Sequence, residues 1–153
     1  GAGEGSEQMT WRVAVLAVAL GGVPAAGADV AGIRKEADPL RRFELALALA
    51  ETQAKAARQL VKDSGSRTEL MKVLEEVEAA SVLSLESLQS TGKRPNKLSR
   101  QYKKGELKTM EILRILKDLV VALSLDDRPA AEKVRDRAEV THEEFLLGVM
   151  SGK

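Results

Sequence analysis

The chain has 153 residues, 44% of them hydrophobic, 31% charged and 3% aromatic, with 24 Lys and Arg against 23 Asp and Glu for a net charge of +1. That length suggests one domain, and the composition supports a buried core rather than disorder. The charge balance gives no global attraction to nucleic acid or an anionic membrane, and the absence of cysteine excludes thiol catalysis, Cys-ligated zinc, disulfides and a lipidated cysteine.

The first distinctive segment is residues 9–28. Met9 is followed by Arg12, an apolar run from Val13 to Leu20, the breakers Gly21, Gly22 and Pro24, and then Ala26-Gly27-Ala28. A basic start, an apolar centre and small residues at the end form the pattern of a secretory signal cleaved after Ala28. Residues 1–8 then read as an upstream extension. Besides an ordinary helix of the fold, the competing reading is an uncleaved membrane anchor. It needs about 20 apolar residues, and Val13 to Ala28 is shorter and interrupted. The expected location is periplasmic or secreted. Residues 29–37 read as a polar lead-in to a single domain over 38–150.

That domain reads as helix and turn throughout, because no β-branched run alternates with polar residues as a strand would. The first helix opens at Asp38-Pro39, a cap followed by a proline suited to the first turn. Phe43, Leu47, Ala50, Ala54, Ala57 and Val61 share a face, and Asp63-Ser64-Gly65 stops the helix with a glycine. The second opens with the capping box Ser66-Arg67-Thr68-Glu69, in which hydroxyl and carboxylate each satisfy a free amide. Its stripe is Leu70, Leu74, Val77, Ser81, Leu85 and Leu88, and Gly92 ends it. Ser81, Ser84, Ser87 and Ser90 recur every third residue, as small residues do where two helices approach closely.

The third helix covers Glu106 to Leu123, with its start at either Asn96, as a cap, or Gly105. Met110, Leu113, Leu116, Val120 and Leu123 form one apolar line, and Ile112, Ile115 and Leu119 a second beside it. So broad an arc implies two neighbours or an oligomer interface. The fourth helix follows Asp126 or Asp127 as cap, aligns Val134, Ala138, Thr141 and Phe145, and ends near Met150. Short connections between four amphipathic helices give an all-α fold, an antiparallel four-helix bundle of two helical hairpins.

Candidate chemistry is sparse. Glu139 and His142 are spaced to lie on one helix face and could share a metal. Di-iron bundles use this spacing twice, and His142 is the only histidine. A site would need Glu44, Glu51, Glu75 or Glu78, or a second copy, to complete it. The competing reading is a boundary histidine between Ala138 and Phe145. No Gly-x-Ser-x-Gly elbow and no phosphate-cradling glycine loop is present, so neither catalysis nor a cofactor is expected. Too few aromatics remain for stacking nucleic-acid bases.

The stretch from 91 to 108 is the most unusual. Lys93, Arg94, Lys97, Arg100, Lys103, Lys104 and Lys108 gather there around one acid, Glu106. Cations are unfavourable at the positive end of a helix dipole, so cations stacked there suggest an anion site. Anionic phospholipid headgroups, envelope polymers and an acidic protein are the candidate partners. The competing reading is a solvated surface whose cations pair with acids such as Glu75, Glu76 and Glu78. The expectation is an exported, non-catalytic binding module, with a homo-oligomer or a metal-binding bundle as alternatives.

Overall fold

The computed structural model describes residues 29–151, so the expected signal segment over 9–28 lies outside the described residues. Those residues form helices and turns, with four long helices packed against each other. Among them there is no strand, and no helix is long and apolar enough to cross a membrane.

A short helix, α1 (Val30–Arg34), comes first. The Asp29 carboxylate accepts from the Gly32 amide at 2.8 Å, and Val30 and Ile33 are buried against the larger helices. The expected polar lead-in is thus part of the core. Its two apolar residues, three apart, form a one-turn stripe too short to stand out as a period.

α2 (Pro39–Lys62) is capped by Asp38, whose carboxylate accepts from the Leu40 amide at 3.1 Å. At its end the left-handed residue is Ser64, with φ of 52°, rather than the glycine. Gly65 instead makes a close approach: a Cβ there would lie 2.7 Å from Leu60 Cδ2. α3 (Arg67–Gln89) is capped as expected, Ser66 Oγ accepting from the Glu69 amide at 3.2 Å. Gly92, with φ of 73°, follows its end.

α4 (Ser99–Ala122) begins at neither expected point. Pro95–Lys97 form a 3₁₀ turn that takes up Asn96, and Leu98 then leads into the helix with no side-chain cap. Gly105 lies inside α4, where a Cβ would come within 2.3 Å of Phe145 Cε1. α5 (Arg128–Ser151) completes the fold. The second apolar line of α4, Ile112, Ile115 and Leu119, is buried within this one chain. It packs into the shared core, as a helix with two neighbours does.

Side-chain contacts fix the helix directions. Arg42, near the start of α2, donates from Nε to Ser87 Oγ and from Nη2 to Ser90 Oγ at the end of α3, both at 2.9 Å. α2 and α3 therefore run in opposite directions. α4 and α5 do the same, since Tyr102 faces Gly148 and Gly105 faces Phe145. The two pairs meet through like-directed helices. Lys104 pairs with Glu44 and Lys108 with Glu51, so α2 and α4 ascend together. Arg67 pairs with Asp127 at the shared start of α3 and α5. The connection over 90–98 consequently crosses one end of the molecule from α3 to its diagonal neighbour α4. It is longer than the other turns, which lets it make that crossing.

Small residues bring the helices close. Ala46, Ala50, Ala54 and Ala57 on α2 are fully buried, as are Ala80 and Ser84 on α3. Ser84 and Ser87 donate their hydroxyls to the carbonyls of Ser81 and Leu83 at 2.7 Å, which satisfies them inside α3. A second cluster of Phe43, Leu47, Leu85, Leu88, Leu98, Tyr102 and Phe145 fills the crossover end. The Phe145 ring meets Phe43 at 6.2 Å and Tyr102 at 5.9 Å between centroids, both edge to face. Such pairs add about 0.5–1.5 kcal/mol each beyond the area they bury.

Candidate binding site at the crossover

The seven cations divide into two groups. Lys103, Lys104 and Lys108 all point back onto acids of the fold. Lys103 Nζ lies 3.1 Å from Glu106 Oε1, Lys104 pairs with Glu44, and Lys108 Nζ lies 3.1 Å from Glu51 Oε2, which Lys55 also approaches. These three belong to the fold rather than to a free patch. Their partners are Glu44, Glu51 and Glu106, not the Glu75, Glu76 and Glu78 expected from sequence. Lys93, Arg94, Lys97 and Arg100 are exposed, and among the described residues none has a carboxylate within 4.0 Å. They lie along the crossover connection and the first turn of α4, where no acid and no cap offsets the helix dipole.

Beside this turn is a cleft of about 310 Å³ between the ends of α3 and α5. Leu85, Leu147 and the Tyr102 ring against Gly148 give it apolar walls, and Gln89 and Glu144 stand at its rim. Pro95, between Arg94 and Lys97, closes the side next to the cations. Gly148 has to be glycine here: a Cβ would lie 2.2 Å from Tyr102 Cδ1. Burial pushes the Tyr102 hydroxyl above its ordinary pKa, and the negative charge of Glu144 adds to the rise.

His142 does not pair with Glu139. Glu139 is exposed, whereas His142 Nε2 lies 3.4 Å from Glu106 Oε2 across the α4–α5 contact. Both partners are almost enclosed, with side chains 13% and 5% exposed. Burial pushes the Glu106 carboxyl up, but hydrogen bonds and charge from Lys103 and His142 outweigh it, so it titrates below its ordinary value. Among the described residues no three His, Asp or Glu side chains converge as metal ligands do. Of the four carboxylates that could complete such a site, Glu44 and Glu51 hold Lys104 and Lys108. Two of them, Glu75 and Glu78, line a different groove, between α3 and α5.

The burial of Glu106 was missed, though its position carried a signal. Tyr102, Glu106, Thr109, Leu113 and Leu116 follow the three-and-four spacing of an inward stripe. No family model matches the chain, and no curated protein or solved structure shows significant similarity to it.

Proposed function

We propose that the protein is an exported, non-catalytic helical binding module that engages an anionic partner through Lys93, Arg94, Lys97 and Arg100. The observation that carries this reading is the division of the cations. Three of seven pair with acids of the fold, while the four along the crossover and the first turn of α4 are exposed and, among the described residues, have no carboxylate within 4.0 Å. The four cations fall within eight residues beside a helix start with no capping side chain and no acid in its first turn, so the helix dipole adds to their positive potential. The export half of the proposal rests on the signal-like pattern over residues 9–28.

The test is binding to polyglutamate and to phosphatidylglycerol vesicles across a salt series. The affinity is expected to fall steeply with salt. Lys97→Glu with Arg100→Glu is expected to weaken it at least tenfold. Lys72→Glu with Lys117→Glu makes the same charge change at exposed positions elsewhere and should leave binding intact. An acid at position 100 suits the first turn of α4, so lost binding would not reflect a lost fold. Salt-independent binding, or equal effects of the two double variants, refutes the proposal.

A further inference from the structure

Resting on that reading, we infer that the partner is an acidic polypeptide segment with one bulky aliphatic side chain, which seats in the cleft beside the crossover turn. The cleft reaches the turn that carries the exposed cations, although no cation is part of its lining. Pro95 lines the cleft, and Arg94 and Lys97 flank it on the same 3₁₀ turn. An occupant of the cleft that extends past Pro95 therefore brings its neighbouring groups toward cations that have no acid partner among the described residues.

The size and lining choose the class. About 310 Å³ is at the lower end of the roughly 300–1,000 Å³ range of ligand pockets. It accepts a side chain rather than a large cofactor. Leu147, 59% exposed, leaves apolar surface on the α5 wall for that side chain to cover. Gln89 and Glu144 in the lining supply a donor and acceptors for a peptide backbone. Glu144 also disfavours a carboxylate on the α5 side, which directs the acids of the partner toward the turn.

Other anionic partners fit less well. The one large apolar residue of the turn, Leu98, is 4% exposed and committed to the core, so nothing there inserts into a bilayer. Tyr102, packed against Phe145 and Gly148 and 5% exposed, shows the cleft too little of its ring to stack a nucleic-acid base. A polyanionic carbohydrate would leave the apolar walls uncovered.

The experiment titrates the full chain with two labelled synthetic peptides and with phosphatidylglycerol vesicles. Both peptides alternate Glu and Asp; one has a central Leu, the other a central Gly. The Leu peptide is expected to bind about tenfold tighter, the fold-change from burying one aliphatic side chain. Gln89→Trp, at the exposed last residue of α3, should fill the cleft. It should bring the Leu peptide to the affinity of the Gly peptide and leave the latter unchanged. Ser151→Trp blocks the cleft from the α5 rim and repeats the test if the first variant folds poorly. Equal affinity for the two peptides, or a Leu preference that survives both blocks, overturns the inference and leaves the charge-based reading standing. Binding to vesicles with none to either peptide does the same. Binding to no probe removes both.

Discussion

Gly105→Ala is the sharpest test of how α4 and α5 meet. In an ordinary helix interior this change stabilises a protein by about 0.5–1 kcal/mol, because Ala loses less backbone entropy on folding. Here the new methyl would lie 2.3, 2.4 and 2.7 Å from Cε1, Cδ1 and Cζ of Phe145. The ring has no easy retreat, since Phe43 and Tyr102 both hold it edge to face and it is fully buried. Over-packing costs ~1–3 kcal/mol, and three contacts this short put the cost in the upper half of that range. Subtracting the helix gain leaves a net loss of about 1–2 kcal/mol. That corresponds to a melting point lower by roughly 3–6 °C for a chain of this size. The assay is urea unfolding followed by amide circular dichroism, repeated in a Phe145→Leu background. With the ring gone, the same Gly105→Ala change should turn stabilising, and the double-mutant cycle isolates the contact. Stabilisation of the parent protein by Gly105→Ala would show that the two helices do not meet at this point.

Two further outcomes follow from the fold. Glu106 titrates below its ordinary value of 4.5 in the folded chain. Its contribution is therefore present above that pH and is lost as the pH falls through the lower, folded value. Glu106→Gln should cost about 1–2 kcal/mol at pH 7, and the gap to the parent protein should close on acidification below 4.5 in thermal melts. A gap that is constant with pH would contradict the Lys103–Glu106–His142 arrangement. Ile33→Ala should cost about 2–4 kcal/mol in urea unfolding, because Ile33 is 4% exposed in the main core. A change below ~0.5 kcal/mol, ordinary for a surface position, would mean that α1 does not dock.

Local signals were legible wherever one residue type has one physical use. Asp38 before Pro39, and Ser66 three residues before Glu69, mark their helix starts, and the structure caps both there. The start of α4 was not legible, because Leu98 leads in without a capping side chain and Gly105 resembles a helix stop. Its need to be glycine comes from Phe145, forty residues away, and no local pattern encodes that. The same holds for the cations. Spacing shows that seven lie in one stretch, but only the packing of α2 against α4 separates Lys104 and Lys108 from the four on the turn. Glu139 and His142 share a spacing on α5, yet the partner of His142 comes from α4. The cleft was invisible for the same reason, since its walls come from α3, the turn, α4 and α5.

The aromatic cluster has an optical consequence. From residue 29 onward every Phe and Tyr, that is Phe43, Tyr102 and Phe145, sits at the crossover end, and Trp11 lies outside the described residues. The opposite end, around Ala57, Leu70, Leu119 and Ala131, contains no chromophore beyond its amides. In a Trp11→Leu variant, near-ultraviolet dichroism and Tyr102 emission therefore observe one pole of the molecule, while far-ultraviolet dichroism observes all of it. Unravelling that begins at the silent pole lowers the helical signal before the ring environment changes. The order in which the two signals fade identifies the pole that opens first, with no label added.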